Sequence, residues 1–184
     1  MRIAAVADDV TGATDLAGSW RSRGFRTAVV LGELSEQDHA LLEAMDAVVF
    51  AVKIRSVRAA DARDVARRIG SQLREFEGVQ VYDKYCSTFD STAEGNIGPI
   101  ADELAEVLGA GRAVVVPSMP ANGRTVYQGT LFVHDQPLSE SPMRDHPLNP
   151  MRDSDLVRLL QAQTARPVGL IPWQTVRQGP VALR

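Results

Sequence analysis

Four short groups of polar residues carry most of the chemistry that this 184-residue chain could perform: Asp8-Asp9, Lys53 with Arg55, Lys84 with Ser87-Thr88, and Asn122-Gly123-Arg124. Each lies just past a short apolar run: Ile3–Ala7, Ala47–Val52, Val79–Tyr82 and Ala113–Val116. Carboxylates accept hydrogen bonds from hydroxyls. Lysine and arginine hold carboxylate or phosphate, arginine bidentately. Two acids, several cations, hydroxyls and amides suit a small, polyhydroxylated, anionic ligand. The densest stretch is Lys84–Gly98, which holds four serine or threonine hydroxyls, Lys84, Asp90, Glu94, Asn96 and two glycines. Strand-to-helix connections usually take about 2–6 residues, and this one runs to roughly a dozen. A long polar loop on a rigid scaffold is more often functional than idle.

Each group also has a purely structural use. Asp9 can cap the helix that follows it. Lys84 can neutralise Asp83 or Asp8. Asn122-Gly123 can be a plain turn, since that dipeptide tolerates positive φ. Cys86 beside a lysine suggests an activated thiol, but no histidine is near it in sequence, and it reads as inert packing. What favours a ligand site is that four such groups fall at equivalent places, beyond successive apolar runs. In an open parallel sheet, ligands bind outside the carboxyl ends of the strands.

The elements that would position these groups follow from periodicity. Apolar runs at Ile3–Ala7, Thr27–Leu31, Ala47–Val52, Val79–Tyr82, Ala113–Val116 and Val168–Ile171 are predicted strands. Ala13, Leu16, Ala17 and Trp20 mark one face of a first helix that Gly24 ends. A short helix is expected over Ser35–Ala44. The longest runs over Ala59–Glu77, with Val65, Ile69, Leu73 and Phe76 as its core stripe. Another starts near Ile97, and a last one covers Asp153–Gln163, with Asp153 or Ser154 as its cap. The β-α alternation predicts an α/β fold: three layers, a mostly parallel sheet with helices on both faces. Leu131–Val133 and Pro137-Leu138 flank Asp135-Gln136 as a small hairpin. Residues 139–151, with three prolines, read as an extended arm, so that 128–150 forms a small appendage.

Length and composition set bounds. One domain, 1–184, is expected. Hydrophobic residues make up 45% and charged residues 23%, ordinary for a globular protein. Twenty basic against 23 acidic residues give a net charge of −3, which argues against nucleic acid or a membrane surface as partner. The six arginines between Arg55 and Arg74 read as the wet face of one helix. One cysteine allows no intrachain disulfide, and the three scattered histidines lack metal-ligand spacing, so no metal site is expected in this chain. No apolar run reaches the roughly 18 residues of a membrane span. The acidic start excludes a signal peptide, and a cytoplasmic protein is expected. Neither G-x-x-x-x-G-K-[ST] nor G-x-G-x-x-G occurs, so no nucleotide cradle is recognisable. The chain stops at Val181-Ala182-Leu183-Arg184 without a closing element, which reads as a cut.

Several motifs, in order, resemble one family. Ala7-Asp8-Asp9-Val10-Thr11-Gly12-Ala13 is similar to the A-D-D-x-T-G-A opening of the four-carbon acid sugar kinases. Lys84-Tyr85-Cys86-Ser87-Thr88-Phe89-Asp90-Ser91-Thr92 through Gly95-Asn96-Ile97-Gly98 resembles the second signature of that family in its 3-oxo-tetronate kinase branch. Pro120–Tyr127, Leu138–Ser141 through Pro147, Asn149–Ser154 and Pro172–Val176 continue the likeness.

The resemblance implies the sugar-acid-binding N-terminal domain of an ATP-dependent kinase that makes the 4-phosphate of a 3-oxo-tetronate. ATP and Mg2+ would bind mainly through a C-terminal kinase domain, the implied partner, that this chain lacks. Asp8 or Asp9 would accept the proton of the attacking hydroxyl, with Asp8 taken as the catalytic residue and Asp9 as substrate-binding. Arg55 and Lys84 would hold the C1 carboxylate. Ser87, Thr88, Asn96, Asn122, Gly123 and Arg124 would contact hydroxyls, the keto group or backbone. Gly95 and Asn96 would open a helix whose free N–H groups favour an anion. Separated from its partner domain, such a piece could self-associate as a homodimer through uncovered apolar surface. Two alternatives remain, a non-catalytic sugar-acid-binding module and another α/β enzyme, such as a hydrolase or isomerase using Asp8 and Lys84.

Overall fold

The computed structural model describes residues 1–35, 38, 42 and 44–183. They divide into two compact units, Met1–Tyr85 with Pro99–Ala113, and Cys86–Gly98 with the residues from Val114 onward.

The first unit is a four-stranded parallel sheet of β1 (Ile3–Ala7), β2 (Thr27–Leu31), β3 (Ala47–Ala51) and β4 (Gln80–Lys84), in the order β2-β3-β1-β4. Pairing is in register, Ala7 opposite both Ala51 and Lys84, so three strands end at one level. β3 is buried along its whole length, as its unbroken apolar run predicts. Helix α1 (Val10–Arg21) packs Ala13, Ala17 and Trp20 on the sheet face of Ala5, Ala7, Val49 and Ala51. The other face carries Ala4, Val6, Val48 and Phe50. It meets Ala62, Ala66, Ile69 and Leu73 of α2 (Ala59–Leu73) and Ile100 and Leu104 of α3 (Ile97–Val107). The expected three-layer α/β architecture is therefore present. Arg67 of α2 donates to the buried Glu103 of α3 at 2.6 Å, which ties the two helices together.

The second unit is built on an antiparallel sheet of β5 (Arg124–Tyr127), β6 (Thr130–Val133) and β7 (Gln136–Pro137). Two 3-10 turns, Leu138–Glu140 and Pro142–Asp145, lead on to α4 (Leu156–Gln161), and a short α5 (Trp173–Val176) follows later. Phe89, Leu131, Leu138, Met151, Leu156 and Leu160 are buried there. The backbone of β6 is clamped to the start of α4, since Leu131 N–H donates to Ser154 C=O (3.0 Å) and Leu156 N–H to Gly129 C=O (2.9 Å).

Several expectations are corrected. Ala113–Val116 and Val168–Ile171 form no strand, and Val114 and Val116 are 74% and 69% exposed. Strand propensity reports fit to a half-buried pleat, and without a paired neighbour it specifies nothing. No strand is expected over Arg124–Tyr127, where β5 forms. The first half of the region expected as an extended arm forms two 3-10 turns, the second capped by the Ser141 hydroxyl on Met143 N–H, while residues 146–151 are irregular. β4 runs two residues past its predicted end, so Asp83 and Lys84 are strand residues. The last long helix starts later than expected, with Asp155 as its cap. The helix expected over 35–44 falls mostly on residues outside the described set.

Phe50 is wholly buried at the centre of the α2–α3 face. Phe50→Ala should destabilise the protein by about 3–5 kcal/mol, read from the urea unfolding midpoint, with little change in slope. A loss under about 1 kcal/mol would show that this face is not closely packed.

Candidate functional site

The end of β1 is where side chains converge. Asp8 continues the strand line and is stitched on both sides. Its N–H donates to Lys84 C=O (3.1 Å), and its own C=O accepts from Ile54 N–H (3.1 Å). The residue is 4% exposed, and its side chain accepts from Nε and Nη2 of Arg55, both at 2.9 Å, in a two-pronged fork. Asp9 turns out of the strand with extended backbone (φ −146°, ψ 163°) to cap α1, and its Oδ1 accepts from Gly12 N–H at 2.6 Å. Its Oδ2 lies 3.0 Å from the same Arg55 Nη2, so one guanidinium holds both acids.

Lys84 completes the group. Its Nζ donates to Tyr85 C=O at 2.6 Å. It lies so close to the first turn of α1 that a Cβ on Gly12 would come within 3.3 Å of it and 2.7 Å of Asp9 Oδ1. Only glycine leaves room there for the acid and the ammonium. Burial pushes the Asp8 carboxyl above its usual range, and the charge of Asp9 adds to that. The Arg55 hydrogen bonds and charge pull the other way, as does Lys84. Asp9, with its side chain 33% exposed, is the more accessible of the two acids.

Asp8, Asp9, Arg55 and Lys84 are thus brought together in the first unit. The geometry differs from expectation in one respect. Arg55, expected to hold a ligand carboxylate, has its fork on Asp8 and reaches Asp9, so it organises the protein's own acids. Lys84, an ammonium with three donors, is a cation of this cluster left for a ligand, and Lys53 beyond β3 is exposed.

The other expected residues belong to the second unit. Thr88 is buried (3%), with its hydroxyl 3.1 Å from Cys86 Sγ. Ser87 beside it is partly exposed. Asn96 is 3% exposed. Asn122 ends a 3-10 turn, and Gly123 follows at φ 70°, where a Cβ would fall 2.3 Å from His134 Nδ1. Arg124 donates through Nη1 to Asn122 C=O and pairs its backbone with Met119. The Asn-Gly pair therefore makes the tight turn that was its structural alternative.

Sequence reasoning missed what fixes the Cys86–Gly98 stretch. Gln163, 8% exposed, donates through Nε2 to Ser91 Oγ (2.8 Å) and Thr92 C=O (2.6 Å). Its Oε1 accepts from Gly98 N–H at 2.9 Å. That N–H, in the first turn of α3, was expected to be free for an anion and is instead bound internally. A Cβ on Gly98 would lie 2.7 Å from Gln163 Cβ, so the clasp needs glycine there. Asn149 makes a second clasp. Its Nδ2 donates to Asp90 Oδ1 (3.0 Å) and Asp90 C=O (3.2 Å). Asn149 lies in a matched motif, which is a signal of a kind. Gln163 gives none, because a buried glutamine reads like any polar residue closing a helix.

Among the described residues, no group of three or more His, Cys, Asp or Glu side chains could hold a metal ion, and no helix is long and apolar enough to cross a membrane.

Comparison with known proteins adds three findings. A family model described as a sugar-binding N-terminal domain matches residues 3–184. A 3-oxo-tetronate kinase of Pseudomonas fluorescens is 48% identical over 179 residues, covering 97% of this chain and 41% of that protein. Two solved structures share the fold. A Haemophilus influenzae protein has TM-score 0.92 at 40% identity, over 98% of this chain and 43% of that one. A Bordetella bronchiseptica protein, described as a domain-swapped dimer with bound citrate, has TM-score 0.74 at 33% identity, over 88% of this chain and 40% of that one. The chain spans less than half the length of the curated relatives it matches.

Gln163→Ala should leave Gly98 N–H and Ser91 Oγ without their partner and cost about 1–3 kcal/mol, measured by chemical denaturation. Unchanged stability would show that the clasp holds nothing.

Proposed function

The chain belongs to the sugar-binding N-terminal domain family, and from that premise we propose that it is the substrate-binding part of an ATP-dependent kinase that phosphorylates a four-carbon sugar acid, converting a 3-oxo-tetronate to its 4-phosphate. The observation that carries this reading is the 48% identity, over 97% of this chain, to part of a relative named 3-oxo-tetronate kinase, in which the acid pair and the Lys84–Gly98 signature fall inside the aligned region. The strand-end cluster is chemically suited to the role. Lys84 supplies positive charge for the C1 carboxylate. The citrate bound to the Bordetella relative, itself a hydroxylated organic acid, supports an organic-anion ligand.

Phosphoryl transfer depends on positioning, charge neutralisation and a group that orients the attacking hydroxyl. The carboxylate pair supplies that group. Asp8 was expected in this role. Its burial and its fork to Arg55 favour Asp9 for contact with the hydroxyl, with Asp8 holding Arg55 in place. Ser87, Thr88, Asn96, Asn122, Gly123 and Arg124 remain candidates for hydroxyl and keto contacts, by their places in the matched motifs. ATP supplies the phosphoryl group, and its site, with Mg2+, is assigned to a C-terminal domain in the part of the relatives that this chain does not match. Self-association as a homodimer belongs to the same reading, supported by the domain-swapped Bordetella relative.

Calorimetric titration of the 184-residue chain with a 3-oxo-tetronate should show binding. Asp9→Asn should weaken it by about tenfold or more, the worth of one charge-assisted hydrogen bond. ATP turnover by this chain alone should be undetectable. Absence of binding, or equal binding by Asp9→Asn, would remove the assigned site, and turnover by the isolated chain would remove the division of labour between domains.

A further inference from the structure

One acid beside the Asp8–Asp9 pair has no part in that reading. Asp83 is a residue of β4 and pairs with Val6 of β1. Side chains alternate across a strand, so Asp83 shares the sheet face of Val81 and Val6, the one covered by α2 and α3. Asp8, two residues beyond Val6, is its diagonal neighbour on that face. Both Asp83 carboxylate oxygens are buried, and none of the described residues hydrogen-bonds to them. An ionised carboxylate without partners in such a place is far costlier than a neutral carboxyl. Burial accordingly pushes Asp83 well above the usual carboxylate range, the charge of Asp8 pushes the same way, and Lys84 opposes.

The other charges on this face do not offset it. Arg63 and Arg67 of α2 are paired with Asp102 and Glu103 of α3. At the strand ends, Asp8 and Asp9 stand against Arg55 and Lys84, while Lys53 beyond β3 is exposed and its charge is screened by water. That set is balanced only while Asp83 is neutral. A third negative charge behind Asp8 would turn the group net negative and oppose any anion approaching Lys84.

We propose that Asp83 sets the charge of the anion site, retaining a buried proton behind Asp8 so that an organic acid can bind beside Lys84. This role rests on the reading of the strand-end cluster as an acid-binding site. In the unfolded chain Asp83 ionises near pH 4, whereas in the fold it keeps its proton. Stability from this group is therefore full below about pH 4 and declines as pH rises toward the raised value in the fold.

The 184-residue protein and its Asp83→Asn variant, a neutral isostere, separate the possibilities. Asp83→Leu serves as a second neutral variant if the amide folds poorly. From pH 5 up to the pH at which Asp83 ionises in the fold, the melting temperature of the variant should gain on wild type by about 3–5 °C per pH unit, and above it the gap should level off. Where the gap levels off, and not before, the ratio of threonate affinities, variant over wild type, should rise, to about tenfold. A melting gap that does not change with pH overturns the buried proton. An affinity ratio that stays flat beyond the pH at which the gap levels off, or that departs from one while the gap still widens, overturns the link to the anion site. A widening gap with no threonate binding by either protein removes the acid site itself, and this role of Asp83 with it.

Discussion

The strand-end cluster depends on one interaction, the Arg55 guanidinium held between Asp8 and Asp9. Asp8 is almost wholly buried, and a buried carboxylate is tolerated only when paired and hydrogen-bonded. Arg55 meets that need with two parallel bonds. The same group reaches Asp9, which is already engaged in capping α1. The start of α1, the end of β1 and the segment after β3 are therefore fixed relative to one another by a single planar cation. Lysine could not replace it, because a point charge cannot make the fork.

That arrangement changes what the polar residues are for. Charge alone suggests that every cation past a strand end is available to an anionic ligand. In the structure one of them, Arg55, is committed to the protein's own acids. The same holds in the Cys86–Gly98 stretch, where Ser91, Thr92 and Gly98 are bound by Gln163 and Asp90 by Asn149. The length of the loop marks it as functional, but much of its polarity maintains its own shape. Preorganisation of this kind is what a binding loop needs, since a loop already ordered loses less entropy when ligand arrives.

The first unit was legible in the sequence because its signals are local. Ile3–Ala7 and Ala47–Ala51 are short, unbroken apolar runs, and α2 carries its core stripe at helical spacing. Where the signal depends on a partner, reading failed. Ala113–Val116 has the composition of a strand and is none, while Arg124–Tyr127, polar and beside a turn, is a strand because β6 lies against it. The candidate site divides the same way. Asp8, Asp9 and Lys84 were visible from their places after apolar runs, and the registers Ala7 to Lys84 and Ala7 to Ala51 bring those places together. Gln163 was invisible, because its function is set by residues about 65 to 72 positions away.

The end of β4 shows the same limit at the scale of one residue. Asp83 and Lys84 are adjacent in sequence and look like a self-neutralising pair. A strand sends them to opposite faces, so Lys84 reaches the first turn of α1 beside Gly12 while Asp83 enters the packed face beneath α2 and α3. Pairing by sequence proximity therefore fails, and with it the assumption that both are charged. Reading β4 as ending at Tyr82 left both residues in a loop, free to turn toward each other. Placing them inside the strand forbids it, and two more residues of β-structure set Asp83 behind Asp8 on the packed face and Lys84 on the opposite one.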